Sequence, residues 1–278
     1  MRTISTPKLI ATHVSLMAAC AIVLYPVLWV IKMALTPSQG FSMSPNPIPD
    51  QVSMSNFHHL VTMNDGIFWR QLGNSIIISV ATTVIGVALA CTAAYAFSRF
   101  RFPGRTLGMA GFLITQMFPG VVMAIPLYIL LNRLDLLNTL SGLVLVYSTS
   151  SLPFCVWMLK GYFDTIPRDL EEAAIMDGAS QWVIFTQVIL PLARPAIVVT
   201  ALFSFMTAWN EFILAATFLT KREMFTLPMV LQSFVGSYST DWGYFAAGAI
   251  IVSLPVMLLF FALQKFLVGG LTAGAVKG

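Results

Sequence analysis

Six apolar runs, each about long enough to cross a lipid bilayer, leave this chain few ways to fold. They cover residues 14–35, 72–97, 107–131, 140–159, 195–219 and 244–266. About twenty apolar residues in an α-helix span a hydrocarbon core roughly 30 Å thick. In that medium each backbone N–H and C=O must be bonded within its own segment, which a helix achieves. The fold class read from the sequence is therefore all-α, a polytopic membrane protein with six transmembrane helices. Composition agrees: 58% of the 278 residues are hydrophobic and 9% are charged, whereas soluble domains carry about 25% charged residues.

The remaining segments divide the chain. Residues 1–13 read as a short N-terminal tail with Arg2 and Lys8, and 14–35 as the first span, interrupted by Pro26. Residues 36–71 are rich in Pro, Ser and Asn and read as a non-helical, exposed loop. Residues 72–266 hold the other five spans. Gln116, Pro119, Gly120 and Pro126 fall inside the third of these six runs, so that span is expected to be kinked or broken. The tail 267–278 contains Gly269, Gly270, Gly274 and Gly278 without an apolar face, and is not expected to fold alone.

Basic residues orient the chain. An even number of spans puts both termini on one side, together with Arg2, Lys8, Arg99, Arg101, Arg105, Lys160, Arg168, Arg194, Lys265 and Lys277. Arg70, Arg133, Lys221 and Arg222 fall on the other side. The richer side is cytoplasmic by the positive-inside rule. Both termini are thus expected in the cytoplasm, and the loops 36–71 and 220–243 outside. The net charge of +4 is spread over many loops, which gives no footprint for nucleic acid.

The segment 160–194, on the cytoplasmic side, is the polar exception. It carries five of the eleven acidic residues: Asp164, Asp169, Glu171, Glu172 and Asp177. Pro167 suits the first position of a helix. Asp169, Glu171 and Glu172 then fall where the helix dipole favours negative charge. Gly178 suits a left-handed helix end, and Ser180 can cap a second, apolar helix running through Trp182, Val183, Phe185 and Val188 to Pro191. The spacing predicts a short helical hairpin outside the bilayer. An ordinary polar loop between spans would show the same signals, and spacing alone leaves both open.

Within the spans, Glu211 beside Trp209 and Asn210 is an acid in an apolar run, a functional signal by default. It could line a path, pair with another subunit, or bond to Asn210 or a neighbouring helix. Gln116 and Ser148 to Ser151 could face water, although span hydroxyls often bond their own helix. No Gly-x-x-x-x-Gly-Lys-Ser/Thr sequence is present, so no P-loop binds ATP here. Cys20, Cys91 and Cys155 lie in apolar runs, and with His13, His58 and His59 they form no ligand pattern for a metal.

The stretch Glu171-Glu172-Ala173-Ala174-Ile175-Met176-Asp177-Gly178-Ala179, followed by Phe185 and Leu190-Pro191-Leu192, resembles the EAA loop of binding-protein-dependent ABC importer permeases. The C-terminal Gly270-Leu271-Thr272-Ala273-Gly274-Ala275-Val276-Lys277-Gly278 is similar to the tail of the second permease subunit in maltose-type sugar importers. This resemblance implies the type I ABC importer permease fold in a bacterial or archaeal cytoplasmic membrane. It implies a non-catalytic subunit that forms half of a path for malto-oligosaccharide, trehalose or a similar sugar. Its partners would be a second permease, an extracytoplasmic sugar-binding protein and two ATPase subunits that hold the ATP and Mg. Glu171, Glu172, Ala173, Ala174, Asp177, Gly178 and Ala179 would couple to an ATPase. Gly270, Thr272, Gly274 and Lys277 would lie between the two ATPases. Gln116, Ser148, Asn210 and Glu211 are candidates for the path or for pairing with the second permease. The alternative is a stand-alone secondary transporter or channel, which would need its own coupling-ion site. A membrane enzyme is a poorer fit, because no nucleophile–base or metal constellation is visible.

Overall fold

The apolar runs become helices, with breaks placed by proline, glycine and asparagine. The computed structural model describes residues 6–236 and 238–275, of which 267–275 by their backbone alone. Helix α1 is Thr6–Leu35, α2 Ser55–Arg99, α3 Arg105–Met117, α4 Gly120–Arg133 and α5 Leu140–Phe163. After these come α6 Asp169–Met176, α7 Gln181–Val183, a π-helical stretch Ile184–Ile189 and α8 Leu190–Leu192. Then follow α9 Arg194–Asn210, α10 Ile213–Phe218, a 3₁₀ turn Arg222–Met224, α11 Leu227–Ser233 and α12 Trp242–Ala275. Among the described residues the only extended pairing is the isolated bridge Val235–Thr240. Among the described residues, four helices are long and apolar enough to cross a membrane: α1, α2, α5 and α12 over Trp242–Phe266. Counting each of two bent pairs as one broken span brings the number to six, α3 with α4 at 102° and Gln181–Leu192 with α9 at 77°. The all-α, six-span class expected from the sequence is thereby borne out.

Several boundaries differ from expectation. α1 begins at Thr6, so most of the presumed tail 1–13 is helix; Pro7 sits in its first turn, where a missing N–H costs nothing. The segment 36–71 is non-helical up to Met54, but α2 starts at Ser55. A break at Met63–Gly66 interrupts it, with Asn64, Asp65 and Gly66 at φ 46°, 57° and 76°. Asn, Asp and Gly are the residues that tolerate this left-handed region. The third apolar run is broken outright at Phe118–Pro119. The proline ring disfavours helical geometry in the residue before it, and Phe118 is extended at ψ 126°. The fifth run breaks at Glu211, also extended at ψ 127°. The C-terminal segment is helical to Ala275. It prolongs an existing helix and so avoids the cost of nucleation.

The chain divides into two compact units, Met1–Trp69 with Val230–Pro255, and Arg70–Met229 with Val256–Gly278. In the first, buried Asn56 ties the chain after α1 to the start of α2. Its Nδ2 donates to the carbonyls of Ala34 at 2.9 Å and Thr36 at 2.8 Å. Gln39 joins the same knot, donating to Asn56 Oδ1 and accepting from the backbone of Trp242 and Tyr244.

The second unit holds two apolar clusters along α2 and α5. One gathers Ile78, Leu131, Leu143, Tyr147, Ala215 and Phe218. The other gathers Cys91, Tyr95, Leu159, Phe163, Ile184 and Ile189. That second cluster is the bed on which α6 and the following helix rest.

Candidate functional site

Helix α6 is eight residues long and capped in full at its C-terminus. Gly178, at φ 81°, donates its N–H to Ile175 O at 2.9 Å, and Ala179 donates to Ala174 O at 2.9 Å. These two bonds form a Schellman motif. Ser180 Oγ then accepts from the Val183 N–H at 3.4 Å and opens the next helix, as its residue type suggested. At the front, α6 starts at Asp169 with Arg168 as its cap, so Pro167 lies just outside the helix rather than at its first position.

Glu171 and Glu172 part company here. Glu171 is the one buried residue of α6, 9% exposed, and points back into the protein. Its Oε1 pairs with Arg99 Nε at the end of α2. Its Oε2 lies 3.1 Å from the Tyr95 hydroxyl, which is 3.4 Å from Gln181 Oε1. Arg99 also donates through Nη2 to Ile166 O at 3.0 Å. Beside it, Ser98 donates to Asp164 Oδ1 at 2.6 Å and Lys160 to Asp164 Oδ2 at 2.5 Å. Burial pushes the Asp164 carboxyl up, but the bonds from Lys160 and Ser98 and the charges of Lys160 and Arg99 outweigh it and hold it below the ordinary value.

The outer face of α6 is different. Glu172, Ala173, Ile175, Met176 and Asp177 are exposed, and Met176 is 87% exposed. Leu170 and Trp182 are also exposed nearby. The result is an apolar patch flanked by the exposed carboxylates of Asp169, Glu172 and Asp177, carried by a polar segment between spans.

The candidates within the spans separate as well. Both oxygens of Glu211 are engaged. Tyr147 on α5 donates to Oε2 at 2.5 Å, and the Leu214 and Ala215 N–H groups bond Oε1 at 2.8 Å and Oε2 at 3.1 Å. The residue therefore caps α10 and ties it to α5. Asn210 bonds back to Met206 O of its own helix at 2.9 Å. Ser148 is buried and lines an apolar groove with Ile77, Ile85 and Leu145. Gln116 instead lines a half-polar cavity of about 540 Å³ at the α3–α4 break, with Thr115, Thr149 and Ser150. Its Nε2 donates to Ser150 O at 3.3 Å. The backbones of Gly270, Thr272 and Gly274 continue α12, and Lys277 lies outside the described residues.

Residues 83–272 match the family described as the binding-protein-dependent transport system inner membrane component. The chain belongs to that family. It is 37% identical to the diacetylchitobiose uptake system permease protein DasC of Streptomyces coelicolor, over 91% of this chain and 92% of the relative. It is also 37% identical to the maltose/maltodextrin transport system permease protein MalG of Escherichia coli K12, over 98% and 96%. A solved bacterial ABC transporter involved in the import of the polysaccharide alginate shares the fold, with a TM-score of 0.79 at 23% identity over 95% of this chain and 99% of the other. The resemblance carried by the stretch 171–179 is thus borne out at the level of the family.

Sequence reasoning treated Arg99 as a topogenic charge and did not consider Tyr95 or Ser98. A signal was available: Tyr95 and Arg99 are four apart at the end of a span, hence on one helical face. A tyrosine and an arginine sharing such a face are suited to receive a carboxylate.

Proposed function

We propose that this protein is a membrane-spanning subunit of an ATP-driven, binding-protein-dependent sugar importer, coupled to a cytoplasmic ATPase through α6. The single observation behind this reading is the outer face of α6. A helix too short to be stable by itself is fixed at both ends and presents Met176, Ile175 and Glu172 outward. Exposed apolar side chains gathered outside the spans suit a protein partner. Small Ala173 lets that partner approach, and Glu172 can pair with a basic group on it. Both termini and α6 lie in the cytoplasm in this reading, ATP and Mg belong to the two ATPase subunits, and the C-terminal segment reaches between them. A second permease completes the path and an extracytoplasmic protein delivers the sugar.

Gln116, Thr149 and Ser150 around the α3–α4 break are this subunit's contribution to the path. Irregular backbone at membrane depth is tolerated where it lines a cavity. Malto-oligosaccharide is the first substrate to test, with trehalose and diacetylchitobiose beside it, the last being the sugar in the name of DasC. A stand-alone secondary transporter fits less well, because Glu211 is committed to Tyr147 and α10.

The experiment is co-purification and uptake with the Glu172→Lys variant. The variant is expected in the membrane at normal level, with ATPase association weakened at least about tenfold, as expected for reversing an interfacial charge. Undiminished association together with normal uptake of every sugar in the panel would sink the coupling role. Substrate is then read from the affinity of the cognate binding protein for the three sugars.

A further inference from the structure

Helix α6 is attached to the rest of the protein in an unusual way. Its one buried residue is a carboxylate, bonded to Tyr95 of a cluster that also holds Phe163, Ile184, Phe185, Leu159 and Ile189. For stability alone, an apolar side chain of similar size would serve as well or better than a buried ion pair. What a charged and hydrogen-bonded pair adds is a defined geometry, because each partner is costly to bury once the other is withdrawn. Arg99, Tyr95 and Glu171 therefore hold α6 to the end of α2 in one orientation.

The other end of the same stretch of α2 is held with equal care. Gln71 Nε2 donates to Arg222 O at 3.0 Å, and Asn74 Nδ2 donates to Glu223 O at 2.8 Å and Phe225 O at 3.1 Å. Ser75 Oγ accepts from the Leu227 N–H at 2.8 Å. From Gln71 to Arg99 the helix is uninterrupted, roughly 40 Å at 1.5 Å per residue, enough to cross the bilayer. One rigid helix thus has polar side chains gripping residues 222–227 at one end and α6 at the other.

We propose that Glu171 is a positioning residue for coupling: through Arg99 and Tyr95 it fixes α6 to α2, so that α2 carries the state of the 222–227 segment to the ATPase-facing helix. This rests on the coupling reading above and deepens it. It assigns Glu171 inward and leaves Glu172 to meet the ATPase.

The test uses the complete reconstituted importer and reads three quantities: ATPase co-purification, basal hydrolysis, and the stimulation of hydrolysis by liganded binding protein. Glu171→Gln and Arg99→Glu are each expected to leave co-purification and basal hydrolysis near normal and to cut the stimulation ratio roughly tenfold, within the usual range of coupling between sites. The reciprocal exchange Arg99→Glu with Glu171→Arg is expected to restore most of the ratio, which a loss of packing would not allow. Unchanged stimulation in both single variants overturns the proposal. So does loss of ATPase binding in Glu171→Gln that the exchange does not repair, since Glu171 would then be an ATPase contact. If the single variants fail to insert, Tyr95→Phe decides. It removes one hydroxyl from the bridge, and a reduced ratio supports the brace while a normal one removes it. Glu172→Lys is run alongside. If it too leaves association and stimulation intact, the coupling reading falls and this proposal with it; if it disturbs association while Glu171→Gln and Arg99→Glu leave stimulation unchanged, the coupling reading stands and only the brace falls.

Discussion

Adjacent carboxylates meet opposite environments when a helix turns one inward and one outward, and Glu171 and Glu172 show it. One step along α6 rotates the side chain by about a quarter turn, from the Arg99 pair to solvent. Glu211 makes a different point. It is an acid in an apolar run, yet its oxygens accept from Tyr147 and from two N–H groups at the start of α10. Those N–H groups have no partner within α10 itself. Glu211→Ala strips all three donors of their acceptor. It is expected to destabilise the detergent-solubilised protein by about 2 kcal/mol, the usual penalty for buried donors left unpaired. Glu211→Gln, which keeps an acceptor, is expected to lose less than half of that. Thermal unfolding of the two variants checks the order, and equal losses would mean that the capping bonds contribute little.

Elements were legible in the sequence where one local rule decided them. The six spans follow from length and apolarity, and the end of α6 from Gly178. At φ 81° Gly178 is in a region where a β-branched residue is strained, by about 1–2 kcal/mol. Gly178→Val is thus expected to unwind the Schellman end and shift Ser180 and the following helix. Its measurable sign is increased protease sensitivity within 168–184 and reduced ATPase association, with membrane insertion unchanged. The sequence was less clear where two rules competed. Residues 55–62 are polar enough to pass for loop after a proline-rich stretch, yet they are helical up to the Asn64-Asp65-Gly66 break. Pro119 announced a kink, but a 102° bend also needs Phe118 to leave helical geometry. The π-helical stretch Ile184–Ile189 has no residue signature beyond the nearby Pro191. Arg99 satisfied the charge rule for topology, and its second use, as the partner of Glu171, shows in the sequence only as its four-residue spacing from Tyr95.

At the scale of the whole molecule, an importer must receive on one side and be driven from the other, and the chain has a distinctive feature for each. In the coupling proposed above, α6 stands on the driven side. On the receiving side, by the charge-based topology, stands the segment 220–243, which is a structured connection. It folds into a 3₁₀ turn, α11 and a narrow turn closed by the Val235–Thr240 bridge. Phe234 at its base is buried and packs against Tyr244, with ring centroids 5.8 Å apart. Removing residues from Phe234 onward would therefore damage the fold and report nothing about docking. Tyr238, near the tip, is fully exposed. An aromatic ring standing in solvent at the end of a braced turn is suited to anchor a partner, since tyrosine is among the residues that dominate interfaces. Tyr238→Ala is expected to leave insertion, assembly and basal hydrolysis unchanged and to raise the concentration of liganded binding protein needed for half-maximal stimulation by about tenfold, a typical loss for one aromatic anchor. A titration of reconstituted importer with binding protein measures this directly. An unchanged midpoint would mean that the tip does not touch the binding protein, and the receiving surface would then have to be sought elsewhere, first among the residues following α1.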